Sequence, residues 1–307
     1  MRDTFVKTLV ELAKKDKNIE LVTGDLGFGV LKPFWTQCPD QFTNAGIAEQ
    51  NMTAMAAGMA LEGKNVFTYS IGNFPTLRCL EQIRNDCAYH QANVKVVCIG
   101  GGFVYGSLGM SHHATEDLAI LRALPDVVVM APADLVEAEE CTKALAQYQG
   151  TAYLRLGRGG EKRLHEKIDN FRIGKAIEIH RGERIALFST GAIYEEIEKA
   201  WNELLKKGYN PSVYTFPSVK PIDKALIEEI AENFELIVSV EEHNIVGGFG
   251  SAIAEVMAEM KNRQARLLRI GLNDQYSAVV GNQSYLRSLY GMDSKSIVSK
   301  VENAVNK

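Results

Sequence analysis

Glu49 is the first residue whose type and setting suggest chemistry. It is the only carboxylate in the run Asn44-Ala45-Gly46-Ile47-Ala48-Glu49-Gln50-Asn51-Met52, which continues through Thr53-Ala54-Met55-Ala56-Ala57-Gly58-Met59-Ala60. Small and apolar residues fall on nearly every side of this segment, which predicts a helix buried all round. Two readings of the acid fit. In a first helical turn a carboxylate meets free N–H groups and the positive end of the dipole. Alternatively, apolar surroundings raise its pKa and hold it ready to exchange a proton with a ligand nitrogen.

A second feature is the loop Gly100-Gly101-Gly102-Phe103-Val104-Tyr105-Gly106-Ser107-Leu108-Gly109-Met110-Ser111-His112-His113. It follows a predicted parallel strand, where open α/β sheets place their ligands. Its five glycines would let the backbone approach a substrate closely. The adjacent histidines should point in different directions, which argues against a two-histidine metal site. A single imidazole here is either catalytic or satisfied by backbone groups. Arg2, Arg78, Arg155 and Arg158 are candidates for gripping a sugar phosphate, since guanidinium binds phosphate bidentately; the alternative for each is a solvated side chain. Gly247-Gly248-Phe249-Gly250 opens a predicted helix as an anion cradle would. Its spacing is not G-x-G-x-x-G, so close helix packing is the better reading.

The elements that must carry these residues alternate. Short β-branched runs at Ile19–Asp25, Asn65–Ser70, Val94–Gly100, Val127–Ala131 and Ala152–Leu156 are separated by helical periods, such as Pro75–His90 and about Asp134 to Tyr148. The aperiodic, charged segment Arg158–Lys167 marks a domain boundary. The pattern then restarts with strands at Ile185–Ser189, Ser212–Phe216, Leu236–Val240 and Arg266–Ile270. The expected fold is α/β, with two doubly wound domains of mostly parallel sheets over 1–165 and 184–307 and a linker over 166–183.

A length of 307 residues suffices for two such domains, and a net charge of −4 argues against a nucleic-acid partner. No apolar run reaches the roughly 20 residues needed to span a bilayer. The first residues, Met1-Arg2-Asp3-Thr4-Phe5, lack the apolar stretch of a signal peptide, so a cytoplasmic location is expected. Cys38, Cys79, Cys87, Cys98 and Cys141 are odd in number and form no C-x-x-C pair, which predicts buried reduced thiols.

Taken together, five ordered segments resemble the C-terminal section of transketolases. They are Gly24-Asp25-Leu26, Gly46-Ile47-Ala48-Glu49-Gln50-Asn51, Ser111-His112-His113-Ala114-Thr115-Glu116-Asp117, Met130-Ala131-Pro132-Ala133-Asp134 and Glu241-Glu242-His243-Asn244-Ile245-Val246-Gly247-Gly248. The resemblance extends more loosely to 1-deoxyxylulose-5-phosphate synthase and to β subunits of 2-oxo-acid dehydrogenase E1 components. It implies a pyrimidine-binding domain for thiamine diphosphate followed by a transketolase C-terminal-like domain. It also implies that Glu49 hydrogen-bonds a pyrimidine nitrogen and drives the proton shift that activates the cofactor, which supplies the hard chemistry. Phe74 is the implied stacking partner of the pyrimidine, with Tyr69 second, and Asp25 and Ile71 join the implied cofactor-binding set. His112 is the implied contact to the sugar hydroxyls and proton carrier, and Arg2 and Arg158 the implied phosphate ligands.

Two positions depart from the family pattern. Leu108 stands where the family has an acid that reads a substrate hydroxyl, and leucine cannot accept that hydrogen bond. Gly100 stands where the family has a further histidine near the phosphate. The resemblance therefore implies a pocket altered for another sugar or 2-oxo substrate. No G-D-G with a downstream asparagine is present, so no metal ligand is assigned to this chain. Mg²⁺ or Ca²⁺ and the diphosphate would be held mainly by an N-terminal-type partner subunit in an α2β2 assembly. The implied activity is transfer of a two-carbon ketol unit from a ketose or ketose-phosphate donor to an aldose acceptor. A β subunit of a decarboxylating 2-oxo-acid dehydrogenase or synthase is one alternative, and a non-catalytic scaffold is another.

Overall fold

Strands and helices alternate throughout the computed structural model, which describes residues 1–306. The first half runs α1 (Arg2–Lys15), β1 (Ile19–Thr23), α2 (Lys32–Gln37), β2 (Phe42–Asn44), α3 (Glu49–Leu61), β3 (Asn65–Ile71), α4 (Leu80–Gln82), β4 (Val94–Ile99), α5 (Asp117–Ala123), β5 (Val128–Met130), α6 (Leu135–Gln147) and β6 (Ala152–Leu156). The second half runs β7 (Ile177–His180), β8 (Ile185–Ser189), α7 (Tyr194–Lys206), β9 (Ser212–Thr215), β10 (Ser218–Lys220), α8 (Lys224–Asn233), β11 (Leu236–Asn244), α9 (Phe249–Glu259), β12 (Arg266–Leu272), α10 (Gln283–Leu289) and α11 (Ser294–Val305).

Every residue of β1, β4, β6 and β8 is buried. Helices cover both faces of such strands, so the sequence runs mostly apolar rather than alternating, with Glu20, Lys95 and Arg155 the buried charged exceptions. One sheet has the order β10-β5-β6-β4-β3-β1-β2 and the other β12-β11-β8-β9-β7. Only the edge strands β10 and β7 are antiparallel to their neighbours. The fold is therefore α/β with mostly parallel sheets, as the alternation predicts. In the first sheet β1 leads outward to its neighbour β2, while β3, on the other side of β1, leads away to β4. The crevice at the carboxyl ends of β1 and β3 is thus a topological switch point, where such sheets bind ligands.

Several expectations need correction. Ile177–His180, inside the segment expected to be linker, is β7 at the edge of the second sheet. Strand β10 crosses back to edge the first sheet, pairing with β5. Both strands are too short to show a period of two. The helix expected over Pro75–His90 is instead a 3-10 turn at Leu77–Cys79, the single turn α4 and a π-helical stretch at Ile83–Ala88. Pro75 has no N–H to give, and the Thr76 hydroxyl donates to the Gly72 carbonyl, so the first turn is diverted. Helix α3 is not buried all round: Gln50, Asn51, Ala54, Gly58 and Leu61 are exposed. Its other face, with Met52, Thr53, Ala56, Ala57 and Ala60, packs on the sheet. Uniformly small residues allow burial on any side, but a single sheet covers only one.

The two halves are joined by buried polar groups. The Glu242 carboxylate accepts from the Phe103 N–H at 2.6 Å and from Arg287 Nε at 2.7 Å. Asp134 accepts from the N–H groups of Leu164 and His165, and Glu137 accepts from the Ala133 N–H and the Thr215 hydroxyl. All five cysteines are buried and unpaired. Among the described residues, no helix is long and apolar enough to cross a membrane.

Candidate active site

Three loops meet at the switch point, each leaving the carboxyl end of a strand. The loop after β1 carries Gly24 and Asp25, that after β3 carries Gly72, Asn73 and Phe74, and that after β4 runs from Gly100 to His113. Two contacts tie the second loop to the third. The Asn73 side-chain amide donates to the His113 carbonyl. Gly72, at a φ of +49°, leaves only 3.1 Å between a Cβ position and the His112 carbonyl oxygen, so a larger residue would push the loops apart.

Glu49 opens α3 and is 4% exposed. Its carboxylate accepts from Arg78 Nη1 at 2.7 Å, and the same guanidinium carbon lies 4.6 Å from the centroid of the Phe74 ring. A planar N–H donor thus bonds the buried acid while resting on an aromatic face. Gly24 lines the other side, where a Cβ would stand 3.4 Å from Glu49 Cγ. Phe74 meets the His112 ring edge-on at 5.2 Å, and His112 Nδ1 lies 3.1 Å from the Ser111 hydroxyl. The Tyr105 ring follows at 6.4 Å from His112, and the Arg158 guanidinium lies over Tyr105 at 5.4 Å. Glu49, Arg78, Phe74, His112, Tyr105 and Arg158 therefore form one continuous chain of contacts along the strand ends. The two histidines do part: His113 is buried, edge-on to Phe103 at 5.1 Å, with burial pulling its pKa down.

Not every expected residue joins this line. Tyr69 is 2% exposed and stacks on Phe5 at 6.2 Å, with burial pushing its hydroxyl pKa up. The alternation of β3 turns it to the α1 side, so it is a core aromatic rather than a stacking partner for a ligand. Asp25 exchanges hydrogen bonds with Asn44, its N–H donating at 3.0 Å and its carboxylate accepting at 2.9 Å, and so ties the loop after β1 to the end of β2. Ile71 ends β3 half-buried, and its carbonyl accepts from the Phe74 N–H. Leu108 is 54% exposed on a 3-10 turn. Arg2 opens α1, where its Nε donates to Asp3.

Arg155, a phosphate candidate by type, is not available for one. It is buried, pairs with Asp117 at 2.9 Å and donates to the carbonyls of Ala114 and Glu242. The cradle at Gly247–Gly250 is likewise filled from within. The Phe249 and Gly250 N–H groups donate to the Glu241 carboxylate, and a Cβ at Gly248 would come within 2.2 Å of it, so close packing is what these glycines serve. The loop glycines also face inward: Cβ atoms at Gly101, Gly102 and Gly106 would collide with Arg155, Glu242 and Leu286. Sequence reasoning had Arg78 only as a phosphate candidate, although its spacing of four residues after Phe74 could have tied it to that ring. It missed Tyr105, whose place depends on Gly100 and had no local signal.

Two doubly wound α/β units, with an acid, aromatics and an imidazole gathered at one switch point, define a class: an α/β protein built to take a ligand at its strand ends. The chain belongs to the transketolase family. Residues 1–160 match the transketolase pyrimidine-binding domain and residues 174–297 the transketolase C-terminal domain. The whole chain is 37% identical over 310 residues to a putative transketolase C-terminal section of Methanocaldococcus jannaschii, covering 96% of it. It is 35% identical to one of the subunits of apulose-4-phosphate transketolase from Phocaeicola vulgatus, with the whole chain and 97% of the relative covered. A solved split-gene transketolase, described as an inactive β4 tetramer, superposes with a TM-score of 0.91 at 32% identity, covering 99% of this chain and 98% of its own. A transketolase-type enzyme subunit of the split kind is the class that these relatives share, and thiamine diphosphate is the cofactor the family implies.

Proposed function

We propose that this chain is the pyrimidine-side subunit of a transketolase that moves a two-carbon ketol unit from a ketose or ketose phosphate to an aldose. The observation that carries the reading is the cradle of Glu49 and Phe74. A flat nitrogenous group, here the Arg78 guanidinium, donates to the acid and lies on the ring together. Those are the two contacts that an aminopyrimidine needs, so the residues fit the implied group. When bound, thiamine diphosphate would supply the nucleophile for carbon–carbon cleavage.

On this reading Glu49 exchanges a proton with the pyrimidine nitrogen, and Phe74 fixes the ring plane. His112, next to Phe74, lies where it can hold a sugar hydroxyl and move its proton. Arg158 and Arg2 supply positive charge for a substrate phosphate. Leu108 leaves one substrate hydroxyl without its usual acceptor and so shifts preference among sugars. The diphosphate and Mg²⁺ or Ca²⁺ fall to a partner subunit of the N-terminal type in an α2β2 assembly. The relatives are named as a C-terminal section, as one subunit of a transketolase and as the product of a split gene, and these names support that division.

The test is to co-express the chain with a transketolase subunit of the N-terminal type. The purified pair is then assayed with thiamine diphosphate and Mg²⁺ against separate panels of ketoses, ketose phosphates and 2-oxo acids. Ketol transfer to an aldose is the expected result. Release of carbon dioxide from 2-oxo acids without ketose turnover would sink it.

A further inference from the structure

A tyrosine outside the expected site residues stands in the middle of the contact line. Gly100 has a φ of +94°, and a Cβ built there would lie 2.3 Å from two carbons of the Tyr105 ring. The ring thus fills the side-chain space of Gly100. It is half-buried, borders His112 at 6.4 Å and carries the Arg158 guanidinium over its face at 5.4 Å. Burial pushes the phenol's pKa up, while the positive charges of Arg158 and Arg2 pull it down. That hydroxyl makes no hydrogen bond among the described residues and is not one of the buried unpaired groups, so it is open to a ligand.

We propose that the Tyr105 hydroxyl, together with Arg158, binds the phosphate terminus of a sugar substrate and sets the preference for phosphorylated over neutral sugars. The assignment rests on the transketolase reading for its substrate. The ring is wedged against Gly100 and covered by Arg158, so it holds the hydroxyl without losing rotamer freedom on binding. A phenol donates one hydrogen bond to a phosphate oxygen and adds no charge, so it complements the Arg158 guanidinium.

Tyr105→Phe keeps the wedge and the stack and removes only the oxygen, so the melting temperature should stay close to that of the parent. In the reconstituted pair, KM for a ketose phosphate should rise on the order of tenfold more than KM for the parent ketose, the scale of one hydrogen bond to a charged group. Equal changes for the two substrates would overturn the proposal. If the unmutated pair turns over neither ketose nor ketose phosphate, the transketolase reading fails, and calorimetry on the same pair still judges Tyr105. A ketose phosphate should bind Tyr105→Phe about tenfold more weakly than the parent protein, and equal affinity would refute the assignment. Inorganic phosphate binding as tightly as the ester would also refute a role in recognising a substrate terminus.

Discussion

Glu49→Gln separates catalysis from folding because the structure assigns the two effects different sizes. Among the described residues the carboxylate has one charged partner, Arg78, whose side chain is 48% exposed, so water screens the pair and losing the acid's charge costs about 0–1 kcal/mol. The position opens α3, where losing a negative charge costs a further ~0.3–1 kcal/mol. Glutamine keeps the shape, so the variant should lose about 0.3–2 kcal/mol in all, at most a few degrees in melting temperature. Proton exchange by a positioned acid, by contrast, typically contributes about 10²- to 10⁴-fold in rate. Turnover of the reconstituted pair should therefore fall by at least about 100-fold while the melt barely moves. Arg78→Met removes the same ion pair but leaves the buried acid in place without its partner, so it should cost at least as much stability as Glu49→Gln with a far smaller loss of rate. Steady-state turnover and scanning calorimetry on the three proteins give the comparison. If Glu49→Gln retains turnover within about threefold, or loses rate only as it loses fold, proton exchange at Glu49 is wrong.

Arg155→Met should strand the buried Asp117 charge and free two backbone carbonyls, costing about 3–5 kcal/mol and lowering the melting temperature on the order of 10 °C. A variant with an unchanged melt and a raised KM would instead make Arg155 a substrate ligand. Glu137 is fully buried, and burial raises its pKa to about 7 from 4.5 against the pull of the Thr215 hydroxyl. A carboxyl that holds its proton more tightly when folded stabilises most below about pH 4.5, and that contribution, on the order of 3 kcal/mol, is lost as pH rises through about 7. His165 beside it is lowered by burial but raised overall by Asp134 and Glu137, so its contribution is lost in the same direction as pH rises. Denaturant midpoints should therefore fall from pH 5 to pH 7.5 in the parent and fall less in Glu137→Gln; parallel slopes would show that Glu137 does not titrate there.

Much of this arrangement was legible because burial on both faces leaves a plain mark. The central strands of the first sheet are mostly apolar runs, and Glu49 is conspicuous as the one acid in a helix of small residues. What escaped had no local cause. The edge strands β7 and β10 have four and three residues, too few for a pattern, and their existence follows from neighbours far along the chain. Four arginines looked alike as phosphate ligands. Only tertiary placement separates Arg155, sealed against Asp117, from Arg78 on Glu49 and Arg158 on Tyr105.

The second domain gives a physical reason for its own presence. Glu49, Phe74, His112 and Arg158 all come from the first half, yet the loop that carries His112 is shaped from behind by the second. Glu242 takes the Phe103 N–H and crowds Gly102, while Leu286 and the Gly281 carbonyl crowd Gly106. Arg287 and Gln283 in turn hold Glu242 in place, so α10 reaches the candidate site through one carboxylate. Glycines read from sequence as room for a substrate are better explained as room for this brace. Their work is to let one domain press the loop of the other into the shape that sets His112 against Phe74.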